Sequence, residues 1–213
     1  IATLDAGLCG RPVGDHNAHY QADADAIART ARKYTSNVVL LKSPRATWDR
    51  VKAAIQNASI VVYLGHGNGW PSIYSPYQPY TKDGFGLDPD TGADGDKHVY
   101  IGEYTIGREV RLAPNAVVLF HHLCYASGNT EPGLAVGTLG DSKQRPDNYA
   151  AGFVQAGARA VIADVAHPHT AYIDWLFTKH LSIRDLFYRY PTYHGHPILT
   201  DSVRQPGFKQ ILD

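Results

Sequence analysis

The sequence predicts an α/β fold with a doubly wound, mainly parallel sheet and helices on both faces of that sheet. The first observation is that short apolar runs alternate along the chain with segments of helical periodicity. The second is that three runs, 59–64, 115–120 and 158–163, are apolar almost throughout. Strands that are covered on both faces have this composition, because neither side of the strand meets water. We therefore expect a three-layer sandwich whose strands are joined by right-handed crossovers.

The segments between these runs complete the alternation. Helix 22–34 carries an apolar stripe of alanines around Ile27, with acidic residues early and basic residues late, which complements the helix dipole. Further helices are expected at 47–56, 105–111, 148–156, 170–180 and 183–190. Shorter strands are expected at 1–8, 37–41 and 98–104. Two long segments, 68–97 and 125–145, and the chain from 191 onward are expected to be irregular, and long loops of this kind are often functional.

The charge balance excludes some classes of partner. The chain has 20 Lys and Arg against 20 Asp and Glu, so no basic field attracts nucleic acid. No apolar stretch approaches the roughly 20 residues that a membrane-spanning helix needs. No internal repeat or low-complexity linker divides residues 1–213, which predicts a single domain. Because the chain contains no Met and begins at Ile1, we expect a processed piece of a longer, secreted protein.

A histidine and a cysteine follow two of the apolar strands. His66 comes just after 59–64, and Cys124 comes just after 115–120. Ligands of parallel α/β sheets sit beyond the carboxyl ends of the strands, so the two side chains are expected to meet there. A histidine lowers the pKa of a nearby thiol and then protonates the leaving group. The sequence therefore predicts a cysteine hydrolase with His66 as the base and Cys124 as the nucleophile.

The backbone around this pair can supply an oxyanion hole. Gly67 allows the main chain to approach a substrate closely, and its N–H, with that of Cys124, can bind the oxyanion of a tetrahedral intermediate. One alternative stays open, because the two cysteines of the chain, Cys9 and Cys124, either remain free thiols or form a disulfide. A disulfide would remove the nucleophile.

These motifs resemble the caspase-like cysteine peptidases, and most closely their gingipain, clostripain and CHAT-like branch. The resemblance covers about 37–163 and is carried by Gly65-His66-Gly67, by the strand that precedes Cys124, and by Ala156-Gly157-Ala158-Arg159 before the next apolar strand. It implies a caspase-like sandwich and an endopeptidase that acts by acyl transfer on a peptide or protein substrate. The sequence departs from the family at Leu123, where many members have a small residue.

The resemblance also implies a substrate pocket at the same edge. Asp164, His122 and His167 are expected to line it, and in this family the region after the strand 158–163 often contacts the residue before the cleaved bond. An acidic Asp164 would favour Arg or Lys at that position by charge pairing. Of His121 and His122, at most one is expected beside Cys124, because they point to opposite faces if the strand continues.

Two metal hypotheses and one non-catalytic hypothesis compete with this interpretation. Several histidines near Cys124 raise the alternative of a metal-dependent hydrolase, although no HExxH or C-x-x-C spacing supports it. A separate acidic loop predicts a structural Ca²⁺ site formed by Asp88, Asp90, Asp94 and Asp96. No cofactor is expected for the chemistry itself. The third class is a binding or surface module that keeps the fold without activity, and a disulfide at Cys124 or burial of its sulfur would favour it.

Overall fold

A five-stranded parallel sheet forms the centre of the protein. The computed structural model describes residues 2–5, 13–90, 98–164, 170–191 and 193–213. All neighbouring strands of the sheet run parallel. In spatial order they are β2 (Val39–Leu40), β1 (Ala2–Asp5), β3 (Ile60–Leu64), β6 (Ala116–His121) and β7 (Ala158–Asp164). The α/β class and the parallel sheet predicted from the sequence are confirmed.

Helices cover both faces of this sheet. On one face lie α2 (Trp48–Ile55), α3 (Glu103–Glu109) and α4 (Leu139–Gln155). On the other lie α1 (Val13–Arg32), α5 (Thr170–Thr178) and α6 (Ile183–Arg189). The protein is therefore a three-layer α/β/α sandwich.

The alternation of side chains along β3 and β6 divides the interior into two hydrophobic cores. Tyr63 and Phe120 face the layer of α2, α3 and α4, whereas Leu64 and Leu119 face the layer of α1, α5 and α6. All five residues of β3 and all six of β6 are buried. Burial on both faces explains why these two strands read as continuous apolar runs.

The strand order places a crevice beside the strand that precedes His66. From β1 the chain adds β2 on one side, and then β3, β6 and β7 on the other side. In open α/β sheets ligands bind beyond the carboxyl ends of the strands where the order reverses, which here is between β1 and β3. The sheet therefore offers its natural ligand edge next to the end of β3.

Three segments differ from the sequence prediction. The segment 68–97 contains β4 (Phe85–Leu87), which pairs antiparallel with β5 (Val99–Ile101), so the strand expected at 98–104 belongs to a separate hairpin. Helix α4 starts nine residues before the predicted helix, because a capping box of Thr138 and Asp141 initiates it and Pro146 is accommodated inside it. The C-terminal segment, predicted to be irregular, forms the hairpin of β8 (Ile198–Asp201) and β9 (Lys209–Leu212).

The C-terminal hairpin is fastened to the first helical layer by a buried polar cluster. Arg204 donates to both carboxylate oxygens of Glu103 at 2.8 and 2.9 Å. Asp147 accepts from the backbone N–H groups of Val203 and Arg204. Burial raises the pKa of Glu103 against the opposing effect of the Arg204 guanidinium. These bonds satisfy polar groups that would otherwise be costly to bury.

Helices α3 and α4 touch through a glycine, which yields a prediction with a control in the same helix. A Cβ at Gly152 would lie 2.6 Å from the carbonyl oxygen of Glu103, whereas one at Gly140 would meet only Thr138 Oγ1 at 3.4 Å. We expect Gly152→Ala to lower the free energy of unfolding by about 1–3 kcal/mol, because the helices must separate. Gly140→Ala should be neutral or stabilising by up to about 1 kcal/mol, because alanine restricts the unfolded chain.

Urea unfolding followed by circular dichroism measures both variants. Equal effects of the two substitutions would contradict the close packing of α3 on α4.

Candidate functional site

The loops that carry His66 and Cys124 lie side by side at the carboxyl edge of the sheet. Strands β3 and β6 pair in parallel, with Leu64 opposite His121. A Cβ on Gly67 would lie only 2.1 Å from the carbonyl oxygen of Cys124 and 2.6 Å from its backbone nitrogen. The main chain at Gly67 therefore contacts the main chain at Cys124, and a side chain there would separate the two loops. Strands β3 and β6 are therefore neighbours in the sheet, as an approach of the residues that follow them requires.

The buried hydroxyl of Tyr63 holds the loop that carries His66. Tyr63, fully buried in β3, places its hydroxyl 2.9 Å from the carbonyl oxygen of His66 and 2.8 Å from that of Gly86. The same hydroxyl accepts from the Gly86 N–H at 2.9 Å. A Cβ on Gly86 would lie 3.2 Å from the Cβ of His66, so the absence of a side chain at Gly86 gives His66 its space.

The imidazole of His66 is neutral at physiological pH. Burial, and to a lesser extent the positive charge that His98 can carry, lowers its pKa to about 4. The two imidazole rings are packed with their centroids 4.4 Å apart at an angle of 46°. A neutral imidazole can accept a proton, so His66 has the protonation state that a general base needs.

Cys124 does not carry a thiol in this structure. It is disulfide-bonded, and the only other cysteine of the sequence, Cys9, lies outside the described residues. Cys124 is also only 3% exposed, and it packs against the buried Tyr125, whose backbone φ is +68°. Of the two states left open by the sequence, the structure holds the disulfide, and in this state Cys124 cannot act as a nucleophile.

Two loops, 68–83 and the loop that follows Cys124, are joined to each other and together are called the wall. The loop 68–83 contributes Tyr74, whose hydroxyl donates to Glu131 at 2.9 Å, and Glu131 also accepts from Tyr125 at 3.2 Å. Two cations complete the cluster, because Lys82 lies over the ring of Tyr74 and Arg145 over the ring of Tyr125. The Glu131 carboxylate therefore joins the loop 68–83 to the loop that follows Cys124, while Lys82 packs within the first loop and Arg145 packs against the second.

Arg145 holds both loops of the wall in place through hydrogen bonds. Its side chain, on helix α4, donates to the carbonyl oxygens of Pro71, Gly128 and Asn129 at 2.9–3.1 Å. Arg145 is 4% exposed, so these carbonyls are satisfied by a buried cation. One side chain thus ties both loops to the helix behind them.

A polar cluster joins the two ends of the loop 68–83. Asp83 accepts from the Trp70 N–H at 2.9 Å, and Lys82 donates to the side-chain oxygen of Asn68 at 2.8 Å. Asp83 is completely buried, and its second carboxylate oxygen has no hydrogen-bond partner. Burial therefore raises the pKa of Asp83 to about 7, although Lys82 and Arg204 oppose the shift.

The remaining polar residues of this edge lie toward α1. Strand β6 ends at His121, and His122 adopts a left-handed backbone conformation with φ of +63°, so the strand does not continue through His122. The rings of His121 and His122 both pack near Tyr20 of α1, and His121 Nε2 lies 3.7 Å from a carboxylate oxygen of Asp23. The expectation that the two histidines point to opposite faces required a strand that continues through His122, and this condition is not met.

Asp164 is the last residue of β7, and its carbonyl oxygen accepts from the His122 N–H at 2.9 Å. Burial and then the Asp164 carboxylate raise the pKa of Tyr190, which packs in the core beside α1. His66 instead packs near β4, on the other side of the sheet. The structure therefore brings Asp164 and His122 together away from His66, while His167 lies outside the described residues.

The acidic loop has one structural member within the described residues. Asp88 is buried and accepts from the Ser43 hydroxyl at 2.7 Å and from the Ala46 N–H at 2.8 Å. Asp90 is exposed, and Asp94 and Asp96 lie outside the described residues. Among the residues with described positions, no group of three His, Cys, Asp or Glu side chains is arranged to hold a metal ion.

Comparison of the chain with protein-family models, with curated proteins and with solved structures gives no match. Within the described ranges, no helix combines the length and the apolar character needed to cross a membrane.

Sequence reasoning missed four residues that shape the site: Tyr63, Asp83, His98 and Arg145. Tyr63 lies in an apolar strand and reads as core, although a hydroxyl in such a strand must find a buried partner, which is a usable signal. Asp83 lies in the charged pair Lys82-Asp83, and because charged residues are rarely buried, the sequence carries no signal of its burial. For Arg145 and His98 the sequence carries no comparable signal.

Removal of the Arg145 guanidinium tests the construction of the wall. We expect Arg145→Met to lower the free energy of unfolding by about 2–4 kcal/mol, because three carbonyl groups lose a charged donor. Limited proteolysis should then cut the variant first within 70–80 and 128–137. Arg50→Met, at an exposed position of α2, should change neither the stability nor the cleavage pattern. Unchanged resistance of the Arg145 variant to protease would contradict the fastening role.

The buried carboxyl of Asp83 predicts a pH-dependent stability. Its pKa is about 7 in the folded protein and near 3.8 in the unfolded chain, so the folded state binds the proton more tightly. The stability of the wild type should therefore fall as the pH rises from about 4 to about 7, by a few kcal/mol in total, and then level off. Asp83→Asn, which is neutral at every pH, should remove this decline.

Urea unfolding at pH values from 4.5 to 8.5 measures the effect. The difference in stability between Asp83→Asn and wild type should be near zero at pH 4.5 and should favour the variant at pH 8.5. The exposed Asp49→Asn serves as the control and should show a small, flat difference. A flat difference for Asp83→Asn would contradict the raised pKa.

Proposed function

We propose that the reduced form of this protein is a cysteine hydrolase, caspase-like in architecture, that cleaves peptide bonds by acyl transfer. In this form Cys124 is the nucleophile and His66 is the general base. The observation that carries the proposal is the contact between the Gly67 and Cys124 backbones, which brings the loops of both residues to one edge of the sheet. Two parallel strands in register position a nucleophile and a base more rigidly than flexible loops do.

The reaction follows from the positions of these groups. The neutral imidazole of His66 takes the proton of the Cys124 thiol, and the thiolate attacks the carbonyl carbon of the peptide bond. The N–H groups of Gly67 and Cys124 bind the resulting oxyanion. The imidazolium protonates the leaving amine, an acyl-enzyme forms, and water, activated by His66, releases the acid. No step needs a metal or a cofactor.

The proposal does not include a preference for basic residues. That expectation depended on Asp164, whose carboxylate lies near Tyr190 in the core beside α1, whereas His66 packs beside β4. The wall that borders Cys124 carries Tyr74 and Tyr125 with one carboxylate and two cations. This mixed lining favours no single charge at the substrate position it contacts.

A second candidate is a binding or surface module without activity. One observation favours it: Cys124 is disulfide-bonded and 3% exposed, with Leu123 and Tyr125 buried on either side. A disulfide in this position stabilises the domain by linking two distant parts of the chain. The two candidates differ in what happens after reduction, because only the hydrolase acquires activity.

The test uses the protein incubated with excess dithiothreitol. Fluorogenic peptides carrying each amino acid before the cleaved bond, together with labelled casein, serve as substrates. We expect the reduced wild type to hydrolyse at least one of them. His66→Asn should lower kcat/KM by about 10²–10⁴-fold, as loss of a general base does. Cys124→Ala should abolish hydrolysis, and the exposed His180→Asn should stay within about twofold of wild type.

The competing outcomes are distinct. A reduced wild type that remains folded and cleaves none of these substrates would favour the binding module. A Cys124→Ala variant with undiminished activity would show that the hydrolysis arises elsewhere in the chain.

A further inference from the structure

We propose that the disulfide of Cys124 is a reversible redox latch, which blocks the site when oxidised and releases an assembled site when reduced. This inference rests on the proposed function, because it assigns the nucleophile to Cys124. It differs from a purely structural disulfide in one respect. The site around Cys124 must remain folded after the sulfur–sulfur bond opens.

The described contacts that hold the site are made by groups other than the sulfur of Cys124. His66 is positioned by the Tyr63 hydroxyl and by the packing of Gly86 and His98. Cys124 follows β6, which is paired along its length with β3 on one side and β7 on the other. The backbones of Gly67 and Cys124 touch directly. Loss of the disulfide therefore leaves the base, the backbone donors and the nucleophile in their places.

The wall loops are likewise fastened independently of the disulfide. Arg145 donates to Pro71, Gly128 and Asn129, and Glu131 joins Tyr74 to Tyr125. These bonds connect the two loops to each other and to α4. The segment after Cys124 therefore keeps its path when the bond is broken.

The protonation state of His66 suits a latch. Its imidazole is already neutral while the disulfide is intact, because burial and His98 disfavour the charged form. A thiol released at this edge meets an imidazole that can accept its hydrogen bond and does not first have to lose a proton. His66 is therefore already in its neutral form before the Cys124 thiol is released.

The chemical step needs a thiol reductant, such as a dithiol of low molecular weight or a protein dithiol. In the productive direction the attacking thiolate bonds to the partner sulfur rather than to Cys124, which is 3% exposed. The sulfur–sulfur bond breaks, a mixed disulfide forms, and Cys124 leaves as a thiolate. The second thiol of the reductant displaces the mixed disulfide. In total, one protein disulfide becomes two thiols, and the dithiol is oxidised to its disulfide.

The experiment compares the wild type with Cys9→Ser, which removes the only other cysteine of the chain. Both proteins are treated with iodoacetamide at pH 8, with and without dithiothreitol, and alkylation of Cys124 is measured by peptide mass spectrometry. Hydrolysis of the best substrate found for the reduced wild type is measured in parallel. Cys124→Ser is the control for alkylation and activity.

The latch predicts four results. Cys124 of the oxidised wild type should resist alkylation, and reduction should raise the rate by at least about 10²-fold, because only the thiolate reacts. Activity should rise in step with the fraction of reduced protein and disappear again on reoxidation. Cys9→Ser should be alkylated and active without reductant. Reduced wild type should retain native hydrogen-exchange protection in β3 and β6.

Other results overturn the proposal, and they separate it from the proposed function. Loss of hydrogen-exchange protection in β3 and β6 on reduction would show that the disulfide is structural and would overturn the latch. This result is obtained with the wild type, so it does not depend on whether Cys9→Ser folds. If Cys9→Ser is folded and rapidly alkylated but hydrolyses nothing, the proposed hydrolase fails. Alkylation of the wild type that depends on reduction would still demonstrate that the bond is reversible. Activity that is equal in oxidised and reduced wild type would overturn both the latch and the proposed hydrolase, because a disulfide-bonded Cys124 cannot attack a substrate.

Discussion

The parallel pairing of β3 with β6 is the constraint on which the candidate site depends. Their register sets Leu64 opposite His121, and both strands are buried along their whole length. Burial of two apolar strands between helical layers fixes their positions by packing, since displacement would expose apolar surface and open cavities. The positions of the residues just beyond the strands are therefore fixed as well. Gly67 and Cys124 lie backbone to backbone because the strands that deliver them cannot shift relative to each other.

The polar groups behind this edge form a second layer of constraint. Tyr63 contacts the main chain of His66 and Gly86 with a single buried hydroxyl, and Arg145 satisfies three carbonyls with one guanidinium. Such groups are costly to bury unless they are fully bonded, so they fix loop conformations more specifically than apolar packing does. Asp83 is the exception, because one of its carboxylate oxygens has no partner, and its raised pKa is the result.

The sequence predicts the sheet and the approach of the loops that carry His66 and Cys124, because both follow from local patterns. Continuous apolar runs identify strands covered on two faces, and the carboxyl ends of neighbouring parallel strands share one edge. The left-handed turn at His122 was not predictable, because histidine rarely adopts that conformation, and it moves the ring toward α1. The state of Cys124 was not predictable either, because pairing of two distant cysteines depends on the path of the chain between them. Arg145 lies in a segment that the sequence predicts to be irregular, and only the fold places it on α4 behind two loops.

The burial of His66 alone does not distinguish a hydrolase from a binding module, because a neutral imidazole is buried at modest cost in either. The polar groups around it are more informative. A module that used only the disulfide would need no hydroxyl under the His66 carbonyl and no glycine at position 86 to make room for its side chain. Both features direct the position of His66 rather than the position of the disulfide. These contacts hold a neutral imidazole in the loop that touches the backbone of Cys124, which is the placement that the proposed thiol chemistry would use and which a structural disulfide alone does not explain.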